Sequence, residues 1–139
     1  MYGSSRNYAE QYRKVGVSTK VVDADPHKLV ALLFEGAGER IRRAEAFLAQ
    51  GDQAMKGKAI GEACAIIGHL NGSLDHEAGG EIAGNLSALY DYVIQRLTEA
   101  NLNNDVLALQ ESLSLMGEIE SAWNAIPPDQ RQRPAATGA

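Results

Sequence analysis

Asp25-Pro26-His27-Lys28-Leu29-Val30-Ala31-Leu32-Leu33-Phe34-Glu35-Gly36-Ala37 decides the fold of this chain. The stretch reads as a helix start. Asp25 can accept hydrogen bonds from the unpaired N–H groups of a first turn, and Pro26 at the first helical position has no N–H to leave unsatisfied. His27 falls in that first turn, where a capping or solvated role is expected. The apolar ladder behind it is too dense for a solvent-facing helix. It continues in threes and fours through Leu29, Leu33, Ala37, Ile41, Ala44 and Leu48, and Gly51 stands ready to end it in a left-handed conformation.

Working outward, three more segments carry the same periodicity. Ala59, Ile60, Ala63, Ile67, Leu70 and Leu74 mark the core side of a second helix, and Asp75 to Gly80 reads as a loop. A third helix presents Ile82, Leu86, Leu89, Val93, Leu97 and Ala100. Asn103-Asn104-Asp105 caps a fourth, which carries Val106, Leu109, Leu113, Met116, Ile119, Trp123 and Ile126 before Pro127-Pro128 stops it. The expected helices span about 26–50, 52–74, 81–101 and 105–126. The one β-branched stretch, Val15 to Val22, is short and isolated. Long helices joined by short turns pack antiparallel with their neighbours, so the expected fold is all-α, an up-down four-helix bundle over residues 25–127. Residues 1–24 form an N-terminal segment too small for its own core, expected to dock on or near the bundle. Residues 128–139 are expected to be a disordered tail.

With 139 residues the chain is one domain, and its 45% hydrophobic content can fill a core without metals or disulfides. A net charge of −5 offers no cationic field for phosphate backbones, which argues against nucleic acid and anionic lipid. The single Cys64 fits a reducing compartment. No apolar run is long enough to cross a bilayer, and the N-terminus lacks a signal-peptide core. A soluble, cytoplasmic protein without membrane insertion is expected.

Catalytic chemistry is missing from the pattern. His76-Glu77 lacks the second helical histidine of a zinc hydrolase, no Glu-x-x-His pair marks a di-iron bundle, and Gly79-Gly80 has no following Lys-Ser/Thr for a phosphate loop. No catalytic residue, metal site or cofactor is expected. One rival from another class is a histidine phosphotransfer bundle. His69 lies about 160° from Leu74 around the second helix, on its polar side. However, Leu70-Asn71-Gly72 supplies no cation there to steady a phosphoryl group.

The positive signal lies in departures from a plain bundle. Glycine costs about 0.8–1 kcal/mol relative to alanine inside a helix, yet Gly57, Gly61, Gly68 and Gly72 share an arc of about 60° on the second helix, flanked by Cys64 and Ala65. Such a smooth strip admits a close backbone, either a neighbouring helix of the same bundle or a foreign one. On the fourth helix Ala108, Leu115, Ala122 and Ile126 widen the apolar arc to roughly half the cylinder, beyond the stripe a core needs. Tyr92 and Ile94 form similar shoulders on the third. Tyr8 and Tyr12, at i and i+4, would share a face if the N-terminal segment is helical. These features point to helix-in-groove recognition.

Taken in order, several motifs resemble one family, the flagellar secretion chaperones of the FliS family. They are the N-terminal tyrosines, Asp25-Pro26-His27-Lys28-Leu29 through Ala37, Gly51-Asp52, Lys56-Gly57, Gly79-Gly80-Glu81-Ile82-Ala83, Asn85-Leu86, Leu89-Tyr90-Asp91-Tyr92 and Ala100 to Asp105. Asp25 departs from the serine common before that proline, though either residue caps a helix. The resemblance implies a cytoplasmic chaperone that binds the disordered C-terminal segment of flagellin, prevents premature polymerisation and supports delivery to the flagellar type III secretion apparatus. It implies a client groove, for which Gly61, Gly68, Leu86, Tyr90, Tyr92, Val93, Ile94, Leu109, Leu113 and Leu115 are the candidates. Tyr8 and Tyr12 are the matching positions for a segment that covers the groove and yields to the client. An export-gate component and flagellar regulators are further candidate partners, and the expected state is a monomer or weak homodimer.

Overall fold

A computed structural model of the chain describes residues 25–127. Tyr8, Tyr12 and the expected tail lie outside the described residues. Four helices follow one another: α1 (Pro26–Gln50), α2 (Gln53–Gly72), α3 (His76–Asn103) and α4 (Val106–Asn124). Each opens on an aspartate. Asp25, Asp52, Asp75 and Asp105 accept from the N–H groups of Lys28, Met55, Ala78 and Ala108 at 2.8, 3.1, 3.0 and 3.2 Å. Each such cap is worth about 1 kcal/mol over alanine. Gly51 closes α1 at φ 76°, a left-handed conformation that disfavours any side chain.

Two-residue turns after α1 and α3, and Ser73 to Asp75 after α2, force the antiparallel order. α1 packs on α2 and α4, and α3 on the same two, so the helices close a four-membered ring. The core runs down its middle from Leu29, Leu33, Phe34 and Ile41 of α1 to Ile60, Ile66, Ile67 and Leu70 of α2. Leu74 stays buried although α2 ends at Gly72, two residues short of the expected boundary.

α3 differs from the sequence reading in two ways. Asp75 to Gly80 is not simply a loop: a helical turn begins at His76, and Gly80 breaks it at φ 49°, ψ −123° before the main helix continues. The buried face is also displaced. Ala83, Tyr90, Val93, Leu97 and Ala100 are sealed, whereas Ile82 and Leu89, expected in the core stripe, are 65% and 39% exposed. The large Tyr90 ring takes the inward position, and its neighbour Leu89 rotates to the edge.

Among the described residues one lysine lies inside the bundle. Lys56 is 1% exposed, and its ammonium donates to Gln53 Oε1 at 2.8 Å, to the Asn101 carbonyl at 2.9 Å and to Asn104 Oδ1. The Asn101 carbonyl is one of the unpaired acceptors at the C-terminal end of α3. A cation suits that end, where the helix dipole is negative.

Candidate functional site

Between α3 and α4 lies an apolar cavity of about 210 Å³, lined by Ile82, Leu86 and Tyr90 of α3, Ile119, Ala122 and Trp123 of α4, then Ile126, with Phe34 reaching in from α1. Phe34 and Tyr90 are buried and make its floor; Ile82 and Ala122 stand exposed at its rim. Of the residues expected to widen the apolar arc of the fourth helix, Ala122 and Ile126 line this depression, whereas Ala108 is sealed in the core and Leu115 is half-buried against it.

A polar network lies further along the same seam. The Tyr92 hydroxyl donates to the Glu111 carboxylate at 3.0 Å, Arg96 Nε reaches Glu111 Oε1 at 2.7 Å, and Arg96 also pairs with Glu99 at 2.5 Å. The Arg96 guanidinium, followed by the Tyr92 hydroxyl, holds the Glu111 carboxyl below its usual range. The bond to Glu111 likewise raises the Tyr92 hydroxyl and keeps it neutral. This bridge sets the register. Moving from Tyr92 towards the start of α3 and from Glu111 towards the end of α4 brings Leu89 level with Leu115 and Leu86 level with Ile119. The apolar seam thus continues from the network to the end of the bundle.

At that far end, α1 and α4 are clasped. The His27 and Trp123 rings stack with centroids 4.7 Å apart and planes at 9°. Trp123 Nε1 donates to the His27 carbonyl at 3.0 Å, and His27 Nε2 donates to the Trp123 carbonyl at 2.8 Å. The carbonyl has no proton, so His27 must carry one on Nε2. His27 is only 8% exposed, which corrects its expected solvated role; the cap it makes is on the last turn of α4 and not on its own helix. The aromatic stack and the two cross-helix bonds draw it inward.

The candidate residues separate by burial. Tyr90, Val93 and Leu109 are fully sealed, with Tyr90 touching the cavity from below. Leu86 is half-buried on the wall, and Ile94, Leu113 and Leu115 are half-buried against the core. Tyr92 is 40% exposed beside the network. Gly61 and Gly68 lie on the outward face of α2. A Cβ added at Gly61, Gly68 or Gly72 would meet nothing within 4 Å, so no neighbouring helix among the described residues fills the strip there. Gly57 differs, since its Cβ would lie 3.7 Å from the Asn101 side chain. Ile82, Ile119, Ala122, Trp123 and Ile126 complete the cavity but were not among the site candidates. The signal for Ala122 and Ile126 was the breadth of the apolar arc at the fourth helix; Ile82 had none, since it falls one residue off the buried stripe that runs through Ala83 and Tyr90.

Cys64 is half-buried beside the strip, and burial pushes its thiol above the usual value. That is the opposite of what a nucleophile needs. Among the described residues no group of three or more His, Cys, Asp and Glu side chains could hold a metal ion, and no described helix is long and apolar enough to cross a membrane.

The family model described as flagellar protein FliS matches residues 8–130, the cavity and all four helices included. The chain belongs to the FliS family. It is 48% identical over 118 residues to the flagellar secretion chaperone FliS of Salmonella typhimurium, covering 84% of this chain and 87% of that one. It is 44% identical over 117 residues to FliSB of Pseudomonas aeruginosa, with 84% and 93% covered. With FliS of Vibrio cholerae it shares 40% over 131 residues, with 94% and 96% covered. FliS membership across nearly whole lengths makes the chain a flagellar export chaperone in broad class. His69, the residue of the phosphotransfer reading, is half-buried on α2.

Proposed function

We propose that the chain acts in the cytosol, binding the disordered C-terminal segment of flagellin in the α3–α4 groove, preventing premature polymerisation and presenting the client to the flagellar type III export apparatus. The observation that carries this reading is the open apolar groove on a FliS-family bundle, with Ile82 exposed at its rim. A disordered client gives up conformational freedom on binding, at a cost of about 2–5 kcal/mol or more of the gross contact energy. Only a broad apolar contact offsets that. Fully burying an isoleucine-sized side chain contributes about 1.5–3 kcal/mol; Ile82, 65% exposed, can supply most of that, and Leu86, Ile119 and Ile126, already half-buried, add the smaller remainder of theirs.

The seam past Leu89 and Leu115 extends this contact towards Tyr92, whereas Leu113 packs towards Gly38 of α1 and Ile94 shares the α2 side of α3 with Asp91, so both would support the walls rather than meet the client. Gly61 and Gly68 offer a second, smooth face on α2, where a client helix can lie close. Val93 and Leu109 support the walls from inside. Tyr8 and Tyr12 remain the proposed cover of the groove in the free chaperone, and docking of the loaded complex on an export-gate component follows from the same role.

The test is co-elution of the chain with intact flagellin and with flagellin lacking its C-terminal segment. A one-to-one complex with the intact client alone is expected. Ile82→Glu, which places a charge on the rim without touching the floor, should abolish it while leaving the helical signal unchanged. Equal binding of truncated flagellin, or full binding by Ile82→Glu, contradicts the reading.

A further inference from the structure

Trp123 belongs both to the groove wall and to the clasp with α1, and this double membership is informative. It sits one residue before the end of α4, where helices fray because their last carbonyls have no intrahelical partner. Its own carbonyl accepts a bond from Ile126 N at 3.3 Å and a shorter one, 2.8 Å, from His27 Nε2. A side chain of α1 therefore caps the C-terminus of α4. The first turn of α1 is well anchored, since Pro26 fixes its backbone and Asp25 caps it. His27 is thereby a fixed post, and the last turn of α4 is tied to it at three points: two hydrogen bonds and a ring stack.

We propose that His27 is a positioning residue of the client groove, holding the Trp123 indole in place as its end wall. His27 does not line the groove; it lines a separate polar cavity with Lys28, Glu35 and Glu120 on the other side of the clasp. Its influence on the client passes through Trp123. When the tie is cut, the last turn of α4 samples several positions, and only the fraction with the indole seated can take the client. The apparent dissociation constant rises by the inverse of that fraction. This inference rests on the groove being the client site.

The experiment uses the full chain and a synthetic flagellin C-terminal segment. Trp123 is the only tryptophan, so its emission and acrylamide quenching report the wall directly. His27→Leu keeps apolar volume but removes the donor and the aromatic stack. It should raise quenching and weaken segment binding roughly five- to tenfold, the scale of one lost hydrogen bond with its stack. His27→Gln retains an N–H that can reach the Trp123 carbonyl and should recover most of both. Ile82→Glu serves as the groove control: it stands on the α3 side of the cavity, leaves both His27–Trp123 hydrogen bonds in place, and should lose binding. Unchanged quenching in His27→Leu overturns the proposal. So does unchanged affinity in His27→Leu when Ile82→Glu has lost it. If both variants bind as the parent does, the groove itself is not the client site, and the positioning role falls with it.

Discussion

Replacing Gly61 and Gly68 together by alanine raises the stability of the bundle by about 1.6–2 kcal/mol. Each glycine sits inside α2 with an ordinary helical backbone, and a Cβ at either position meets no atom within 4 Å. Nothing opposes the gain of about 0.8–1 kcal/mol that alanine brings to a helix interior. The sites are two turns apart with no shared partner, so the effects add. For a folded region of about a hundred residues this corresponds to roughly 6–16 °C in Tm. Thermal and urea unfolding followed by circular dichroism at 222 nm measures it, with the urea slope expected to stay constant. A midpoint that stays put or falls would refute the reasoning, because it requires a contact covering the strip in the free protein. The paired substitution Gly68→Leu then separates stability from recognition. It should fold at least as well as the parent but weaken flagellin binding if the client lies along α2.

Three further outcomes follow from other contacts. Lys56→Met leaves Gln53, the Asn101 carbonyl and Asn104 without their buried donor; it should cost about 2–3 kcal/mol by urea denaturation, with a neutral result removing Lys56 as the cap of α3. Glu111 has a folded-state pKa below its unfolded one, so its contribution is complete above about pH 5 and fades as acid protonates it through the lower folded value. Glu111→Gln should accordingly flatten the loss of stability between about pH 5 and pH 3, and an unaltered profile would show that the bridge to Arg96 and Tyr92 contributes nothing. Cys64, its thiol raised by burial, should react with an aromatic disulfide reagent far more slowly than free cysteine at pH 7 and match it once unfolded in urea.

The fold was legible because its signals are local. Asp25 and Asp105 announce two helix starts, Gly51 announces an end, and spacings of three and four mark the inward faces of α1 and α2, whereas Asp75 caps a turn that the glycines after it made look like a loop. The groove was legible only in outline. Tyr92 and Leu86 reach its neighbourhood by pattern, but Val93 and Leu109 have the same apolar character and lie in the core. Periodicity gives the direction of a side chain relative to its own helix. It does not give the space left between two helices, which here is floored by the inward Tyr90 ring and by Phe34 from α1. His27 eluded the sequence for a related reason. Its partner lies 96 residues away, and a single histidine in a first turn gives no sign of a stacked indole.

The central claim is that flagellin's C-terminal segment occupies the seam between α3 and α4. A photoreactive amino acid placed at Ala122, on the exposed rim, tests it directly when the complex with intact flagellin is irradiated and digested. Cross-links confined to the C-terminal segment, and absent when the same probe replaces Glu39 on the exposed face of α1, are the predicted result. Cross-links to another part of flagellin, or none in a complex that still forms, would contradict the account.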